Sequence, residues 1–107
     1  MGMSFAEMME SVKAFHLKHD FANKGGEEMK YRVCLMAEEL GEISSAVTKG
    51  KAKEELAEEI ADLLILVMGC AIALDFDMET EFNKKMEKIM DRPSKLVNGV
   101  IRVTEHQ

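Results

Sequence analysis

The chain has 107 residues, and its 20 Asp and Glu outnumber its 14 Lys and Arg, so its formal net charge is −6. This length fits one domain, 1–107, with a modest core that association between copies would complete. The acidic balance disfavours a nucleic-acid partner, and we find neither a basic leader nor an apolar run long enough for a membrane, so we expect a cytoplasmic protein without a membrane partner.

The first predicted helix starts at a capping box, in which Ser4 precedes Glu7 by three residues, and it extends to about His19. We interpret His16 and His19 as the polar end of this helix. Residues 23–26 then form a loop. Apolar side chains recur along the helix at the 3.6-residue period of a packed face: Phe5, Met8, Met9, Val12 and Phe15.

The second and third predicted helices, residues 27–48 and 52–74, are joined by a short turn at 49–51. The third contains the most apolar run of the chain, 60–74, which predicts a buried core helix. Gly41 inside the second helix costs about 1 kcal/mol relative to Ala, and this predicts a close approach by another helix or a ligand. The second helix also has an apolar stripe: Val33, Met36, Ala37, Leu40, Ile43, Ala46 and Val47.

A fourth helix follows, capped by Asp75 or Asp77 and ending at Pro93. After it, an Asn-Gly pair at 98–99 stands between apolar residues of the segment 95–103, which is typical of a type I′ β-hairpin. An isolated hairpin of this kind is only marginally stable in water, so it needs to pack on the bundle or on a second subunit. The predicted fold class is therefore all-α, a four-helix bundle with a short C-terminal tail.

Several common kinds of site are not predicted. Cys34 and Cys70 lie in apolar helical contexts with no CxxC, which favours buried free thiols in a reducing compartment over a disulfide or a zinc site. His16, His19 and His106 form no ExxH element, so the ferritin-like di-iron pattern is missing. No Walker loop, GxGxxG or GxSxG occurs.

Two pairs of acidic residues have i,i+3 spacing: Glu39 with Glu42, and Glu59 with Asp62. This spacing places both carboxylates of a pair on one helix face. If the two helices run antiparallel from a turn near Gly50, Glu42 lies level with Glu59, and Glu39 with Asp62. We call these four residues the acid tetrad. Converging carboxylates require a cation, and oxygen ligands favour Mg²⁺ or Mn²⁺.

The alternative interpretation is that these acids lie on solvated helix faces, as is common in so acidic a chain. It explains other acids well, for example Glu27, Glu28, Glu54 and Glu55. It explains Asp62 poorly, because that residue lies in the apolar run, where an unpaired carboxylate is costly.

A cationic edge is predicted on the fourth helix, where Lys84, Lys88 and Arg92 follow at i,i+4 steps beside Lys85. These side chains could hold phosphate oxygens, and Asn83 could hydrogen-bond a base, a sugar or a phosphate. The structural alternative is that the helix dipole favours cations near a C-terminus. An acid tetrad with a basic edge suits metal-assisted chemistry on a phosphate, with room for two ions.

The residues around the acidic pairs resemble the ExxE…ExxD signature of MazG-type nucleoside triphosphate pyrophosphohydrolases, in the all-α NTP pyrophosphatase superfamily. The similar segments are 37–43, with the sequence AEELGEI, and 58–64, with the sequence EEIADLL. Residues 88–92, KIMDR, are similar to the KxxxR element that the family carries after its acidic motifs. The resemblance covers residues 5–93.

This resemblance implies a four-helix domain that forms homodimers or homotetramers. It implies Mg²⁺-dependent cleavage, with Mn²⁺ as a substitute, between the α and β phosphates of a (deoxy)nucleoside triphosphate. One glutamate of the tetrad is a candidate base for the attacking water. The implied catalytic and metal-binding residues are Glu39, Glu42, Glu59 and Asp62. The implied phosphate contacts are Lys88 and Arg92, with Lys84 and Asn83 as further candidates.

The chain departs from the family in two ways: it has a single catalytic unit, and it lacks Trp. A base-stacking aromatic would have to be a Phe, Tyr31 or a His; Phe5 and Phe15 are candidates, with core packing as their other role. The alternative function is a non-catalytic helical module for oligomerisation or metal response. Such a module would release no pyrophosphate.

Overall fold

The computed structural model describes residues 2–105, which divide into two compact units, one up to Phe76 and one from Asp77 onward. These residues form four α-helices and one β-hairpin, which confirms the mostly helical class. A short 3₁₀ turn, Phe21–Asn23, follows the first helix. The elements are α1 (Phe5–Lys18), α2 (Met29–Thr48), α3 (Lys53–Leu74), α4 (Met78–Met90), β1 (Ser94–Val97) and β2 (Val100–Val103).

Helix α1 begins at the predicted capping box. The Ser4 N–H donates to Glu7 Oε1 at 2.9 Å, and the Glu7 N–H donates to Ser4 Oγ at 3.1 Å. After the helix, Asp20 has a left-handed backbone with φ of 54°. Its Oδ1 accepts a hydrogen bond from the Asn23 side chain at 2.8 Å, which stabilises the sharp turn out of α1.

A Schellman motif ends α2. The Lys51 N–H donates to the Ala46 carbonyl at 3.0 Å, and the Gly50 N–H donates to the Val47 carbonyl at 3.1 Å. Gly50 has a φ of 64°, a conformation that glycine adopts without strain. Because the turn is so short, α3 returns antiparallel to α2, as the sequence predicts.

In the first unit α3 packs against both α2 and α1. Its buried residues are Met68 to Ala71, one turn near its C-terminus. The prediction of a buried core helix for the run 60–74 therefore holds in part, because α1 and α2 bury Met68 to Ala71 and leave other apolar side chains of the run uncovered. Exposed apolar side chains remain along it: Ile60, Leu64, Ile65, Val67 and Leu74.

The two cysteines differ in burial. Cys70 is buried, as predicted, with its Sγ 4.0 Å from Met36 Sδ. Cys34 is exposed, so the prediction of a buried thiol is wrong there. The reason is helix rotation, since Arg32 and Met36 take the positions of α2 that face α3.

The second unit consists of α4 and the hairpin. Asp77 rather than Asp75 caps α4, because its Oδ1 accepts the Thr80 N–H at 2.9 Å. Asn98 and Gly99 both have positive φ, 52° and 80°, which confirms the type I′ turn. The single-domain organisation and the packing of the hairpin stay predictions. Within residues 2–105, every helix is too short or too polar to cross a membrane.

Candidate active site

Three glutamates converge between α2 and α3. Glu39 and Glu42 from α2 and Glu59 from α3 each offer one carboxylate oxygen, and these oxygens all lie within 4.8 Å of one another. We call these three residues the acid cluster. The convergence that the i,i+3 spacing predicts is therefore observed for three of the four members of the tetrad.

Asp62 lies at the margin of this arrangement. It is exposed rather than enclosed by the apolar run, so the burial predicted for it is wrong. Its side chain is one methylene shorter than that of a glutamate, and its carboxylate is not one of the three that converge. Its negative charge still acts on the cluster, because it raises the pKa of both Glu39 and Glu42.

Two oxygens of the acid cluster are buried without a hydrogen-bond partner among the described residues. They are Oε1 of Glu39 and Oε2 of Glu59, on facing helices. An ionised carboxylate accepts hydrogen bonds but cannot donate one, so neither group satisfies the other. A buried oxygen in this condition is costly unless a proton or a cation compensates it.

The pKa values reflect the same crowding. The pKa of Glu39 is raised to about 7, first by the hydrogen bond that protonated Glu39 shares with Glu59, then by burial and by the neighbouring negative charges. The pKa of Glu42 is also raised, and its hydrogen bond to Glu59 is again the main cause. Glu59 is therefore the centre of the cluster, and Glu39 and Glu42 resist ionisation without a cation.

These donors suit a hard divalent cation. The three candidate ligand atoms are all carboxylate oxygens, which Mg²⁺ and Mn²⁺ prefer to softer sulfur or nitrogen donors. One unpartnered oxygen belongs to Glu39 of α2 and the other to Glu59 of α3. The acid cluster is thus consistent with divalent metal binding.

Two spaces of different character adjoin the acid cluster within the first unit. An apolar cavity of about 690 Å³ touches Glu39 and Asp62, and its walls include Val12, Phe15 and Ile65. We call this space the apolar cavity. The second space is a depression of about 220 Å³, which we call the polar depression. It is lined by Glu42, Ser45, Ala46, Lys51, Glu55 and Glu59.

The predicted aromatic candidates differ in position. Phe15 is 47% exposed and lines the apolar cavity, so its ring is available to a ligand there. It also packs edge-on against His19 and Phe21, with ring centroids 4.9 and 5.5 Å away. Tyr31 is exposed, and Phe5 is half-buried; neither lines the apolar cavity.

In the second unit, Lys88 and Arg92 line one depression of about 360 Å³ together with Glu105. Arg92 Nη2 lies 3.8 Å from a carboxylate oxygen of Glu105. The structure therefore brings together the two residues of the predicted KxxxR element.

The remaining predicted basic-edge residues lie elsewhere on the second unit. Lys84 pairs with Glu81 at 3.2 Å, one turn away on the same exposed helix face. This i,i+3 pair gives Lys84 a partner on its own helix, whereas the dipole alternative concerns the last turn of α4, in which Lys88 lies. Asn83 and Lys85 are exposed, and neither lines the depression of Lys88 and Arg92.

A family model described as the MazG nucleotide pyrophosphohydrolase domain matches residues 28–97. The match spans more than half of the chain and contains the whole acid tetrad together with Lys88 and Arg92. The chain belongs to this family. The resemblance read from the sequence is thereby confirmed, although the match starts after α1. No curated protein and no solved structure gave a significant match.

Sequence reasoning missed a buried polar layer in this MazG domain. Arg32 is 2% exposed and donates to the carbonyls of Gly26 and Leu66 at 2.9 and 2.8 Å, while its Nε has no partner among the described residues. His16 is 4% exposed and hydrogen-bonds Glu27 at 2.8 Å. His16 does lie in the last turn of α1, as predicted, but its side chain is buried there and is not on a solvated helix end. His106 lies outside the described residues.

The sequence did contain a signal for Arg32. It stands one helical turn before Met36 on the face of α2 that packs against α3, so its position is that of a core residue. The close approach predicted at Gly41 is not observed, because a Cβ there would meet open space. It occurs instead at Gly69, where a Cβ would collide with Arg32 and lie 2.7 Å from His16 Nε2.

Proposed function

We propose that the chain hydrolyses (deoxy)nucleoside triphosphates between the α and β phosphates, giving a nucleoside monophosphate and pyrophosphate in a Mg²⁺-dependent reaction. The reaction would remove unwanted nucleotides from the cellular pool. The observation that carries this proposal is the acid cluster with its two buried, unpartnered carboxylate oxygens, in a chain of the MazG family.

The metal-binding residues in this proposal are Glu39, Glu42 and Glu59, with Asp62 completing the set. These residues would hold Mg²⁺, or Mn²⁺ in its place, and the bound ion would neutralise phosphate oxygens and lower the pKa of the attacking water. A glutamate of the acid cluster accepts the proton of that water at a carboxylate oxygen.

The apolar cavity is the proposed site for the nucleoside. Its volume of about 690 Å³ is within the usual range of ligand sites, and it reaches the acid cluster at Glu39 and Asp62. Phe15 offers an exposed ring for a base to stack on. Lys88 and Arg92 are the proposed phosphate contacts, together with Asn83 and Lys84.

We also propose a homodimer or homotetramer. Val33, Leu40 and Val47 stand at seven-residue intervals on α2, and their exposed fractions are 52%, 58% and 60%. An apolar stripe of this kind is typical of a surface that another chain covers. The exposed free thiol of Cys34 suits the reducing cytoplasm, where we place the protein.

The test is pyrophosphate release from a panel of (deoxy)nucleoside triphosphates, with and without Mg²⁺. We expect release that requires Mg²⁺ and is lost in Glu59→Ala, while the matched control Glu58→Ala keeps it, because exposed Glu58 is not part of the acid cluster. Equal activity in both variants would show that Glu59 is not part of the active site. A folded protein that releases no pyrophosphate from any nucleotide would favour the non-catalytic module.

A further inference from the structure

The polar depression contains one cation among its described lining residues, Lys51. Glu42 and Glu59 of the acid cluster form one part of its wall, and Ser45 contributes a hydroxyl to another. Lys51 therefore shares a small polar space with the carboxylates that would hold the metal. Its side chain is 48% exposed, so a ligand can reach it.

The backbone of the turn explains why Lys51 reaches this space. Its N–H is held by the Ala46 carbonyl at 3.0 Å, and the left-handed Gly50 turns the chain back over the end of α2. Lys49 and Lys53, the two nearest lysines in the sequence, do not line the depression. By sequence the three lysines look like one solvated loop, but their positions distinguish Lys51 from the other two.

The present partner of Lys51 holds it weakly. Its Nζ lies 4.0 Å from a carboxylate oxygen of Glu55, and both side chains are about half exposed, at 48% and 59%. Exposed pairs of this kind contribute only about 0–1 kcal/mol. Lys51 can therefore exchange Glu55 for a phosphate oxygen at little cost.

The two spaces that adjoin the acid cluster match the two ends of a nucleoside triphosphate in character. The apolar cavity meets the cluster at Glu39, and the polar depression meets it at Glu42 and Glu59. The base of a nucleoside is planar and partly apolar, whereas the β and γ phosphates are compact and highly charged. A substrate laid across the cluster with its nucleoside in the cavity directs these phosphates toward the depression.

We infer that the polar depression receives the pyrophosphate portion of the substrate and that Lys51 contacts it, with Ser45 as a further hydrogen-bond donor. This inference rests on the proposed function. Lys51 contributes a positive charge to the leaving group, while Glu55 competes with the phosphate for that charge.

The test is binding of pyrophosphate in the presence of Mg²⁺, measured by calorimetry. Lys51→Gln is expected to weaken binding by about tenfold or more, the size of a lost charge-assisted hydrogen bond. The matched control Lys49→Gln is expected to bind as the wild type does. Glu55→Gln is expected to bind pyrophosphate more tightly, because it frees Lys51. Binding of a nucleoside monophosphate should be equal in all four proteins.

The inference is overturned if Lys51→Gln and Lys49→Gln bind pyrophosphate equally, or if the wild type binds none. Failure of the proposed function is a separate result, seen as no Mg²⁺-dependent release of pyrophosphate by the wild type. If the protein binds pyrophosphate through Lys51 but releases none from nucleotides, the inferred contact is supported and the proposed enzyme function is rejected.

Discussion

Glu59 has a different environment from the other acids of the tetrad, because it reaches the carboxylates of both Glu39 and Glu42 across the helix pair. Hydrogen bonds to Glu59 are the largest cause of the raised pKa of each partner. A proton compensates the crowded negative charge at low pH, and under the proposed function a divalent cation would compensate it at neutral pH. Protonation and metal binding are therefore alternatives at this site.

A pH dependence of stability follows from the raised pKa of Glu39. Between its ordinary pKa of 4.5 and the folded value of about 7, folded Glu39 holds more proton than the unfolded chain does. The contribution of Glu39 to the free energy of unfolding is therefore present at low pH and is lost as the pH rises through this range. Saturating Mg²⁺ should offset the loss, since metal binding strengthens as the carboxylates ionise.

The measurement is urea unfolding at pH 5 and pH 7.5, with chelator or with Mg²⁺. Glu39→Gln is the matched control, because its amide cannot titrate. Without metal, the wild type should lose more stability between the two pH values than Glu39→Gln does. Identical pH dependence in the two proteins would show that the pKa of Glu39 is not raised in the folded protein.

At the scale of the elements, one buried layer ties three segments together. Arg32 of α2 bonds the carbonyl of Leu66 in α3 and that of Gly26 in the loop before α2. His16 of α1 lies in the same layer, since both it and Arg32 approach Gly69. A buried guanidinium whose partners are carbonyls fixes the position of each segment that supplies one.

The two glycines of α2 and α3 should respond oppositely to substitution by alanine. Gly69→Ala is expected to destabilise the fold by about 1–3 kcal/mol, because its Cβ would collide with Arg32 in a packed layer. Gly41→Ala is expected to stabilise it by about 0.5–1 kcal/mol, since the Cβ enters open space and alanine favours a helix. Urea unfolding of both variants checks this. A Gly69→Ala protein as stable as the wild type would mean that the layer is loosely packed.

At the scale of the whole molecule, the small core and the exposed apolar stripe on α2 belong together. Buried apolar side chains are few among residues 2–105, and Val33, Leu40 and Val47 remain exposed. A helix face of this composition is stable in water when a second chain covers it. Association of copies is therefore part of the expected stability of the protein.

The double substitution Leu40→Glu and Val47→Glu should convert the oligomer to monomers, because it places charges in the apolar stripe. Sedimentation velocity at micromolar concentration measures the change. Glu38→Lys is the control, since Glu38 is exposed on a different face of α2. A wild type that sediments as a monomer, or a double variant that remains associated, would contradict the proposed homo-oligomer.

Local features of the sequence determined the elements and much of the acid cluster. The capping box at Ser4 and the Asn98–Gly99 turn depend on neighbouring residues alone, so both were predicted correctly. The i,i+3 spacing and the short turn also placed Glu39, Glu42 and Glu59 together. Helical periodicity is a property of the sequence, and it fixes which residues share a helix face.

Only the tertiary structure decided how far each helix rotates about its axis and which faces remain uncovered. That rotation exposes Asp62 and Cys34, buries Arg32, and makes Gly69 rather than Gly41 the point of close approach. It also brings Lys51 into the polar depression. These outcomes depend on side-chain lengths and on packing between residues far apart in the sequence, and no local pattern records them.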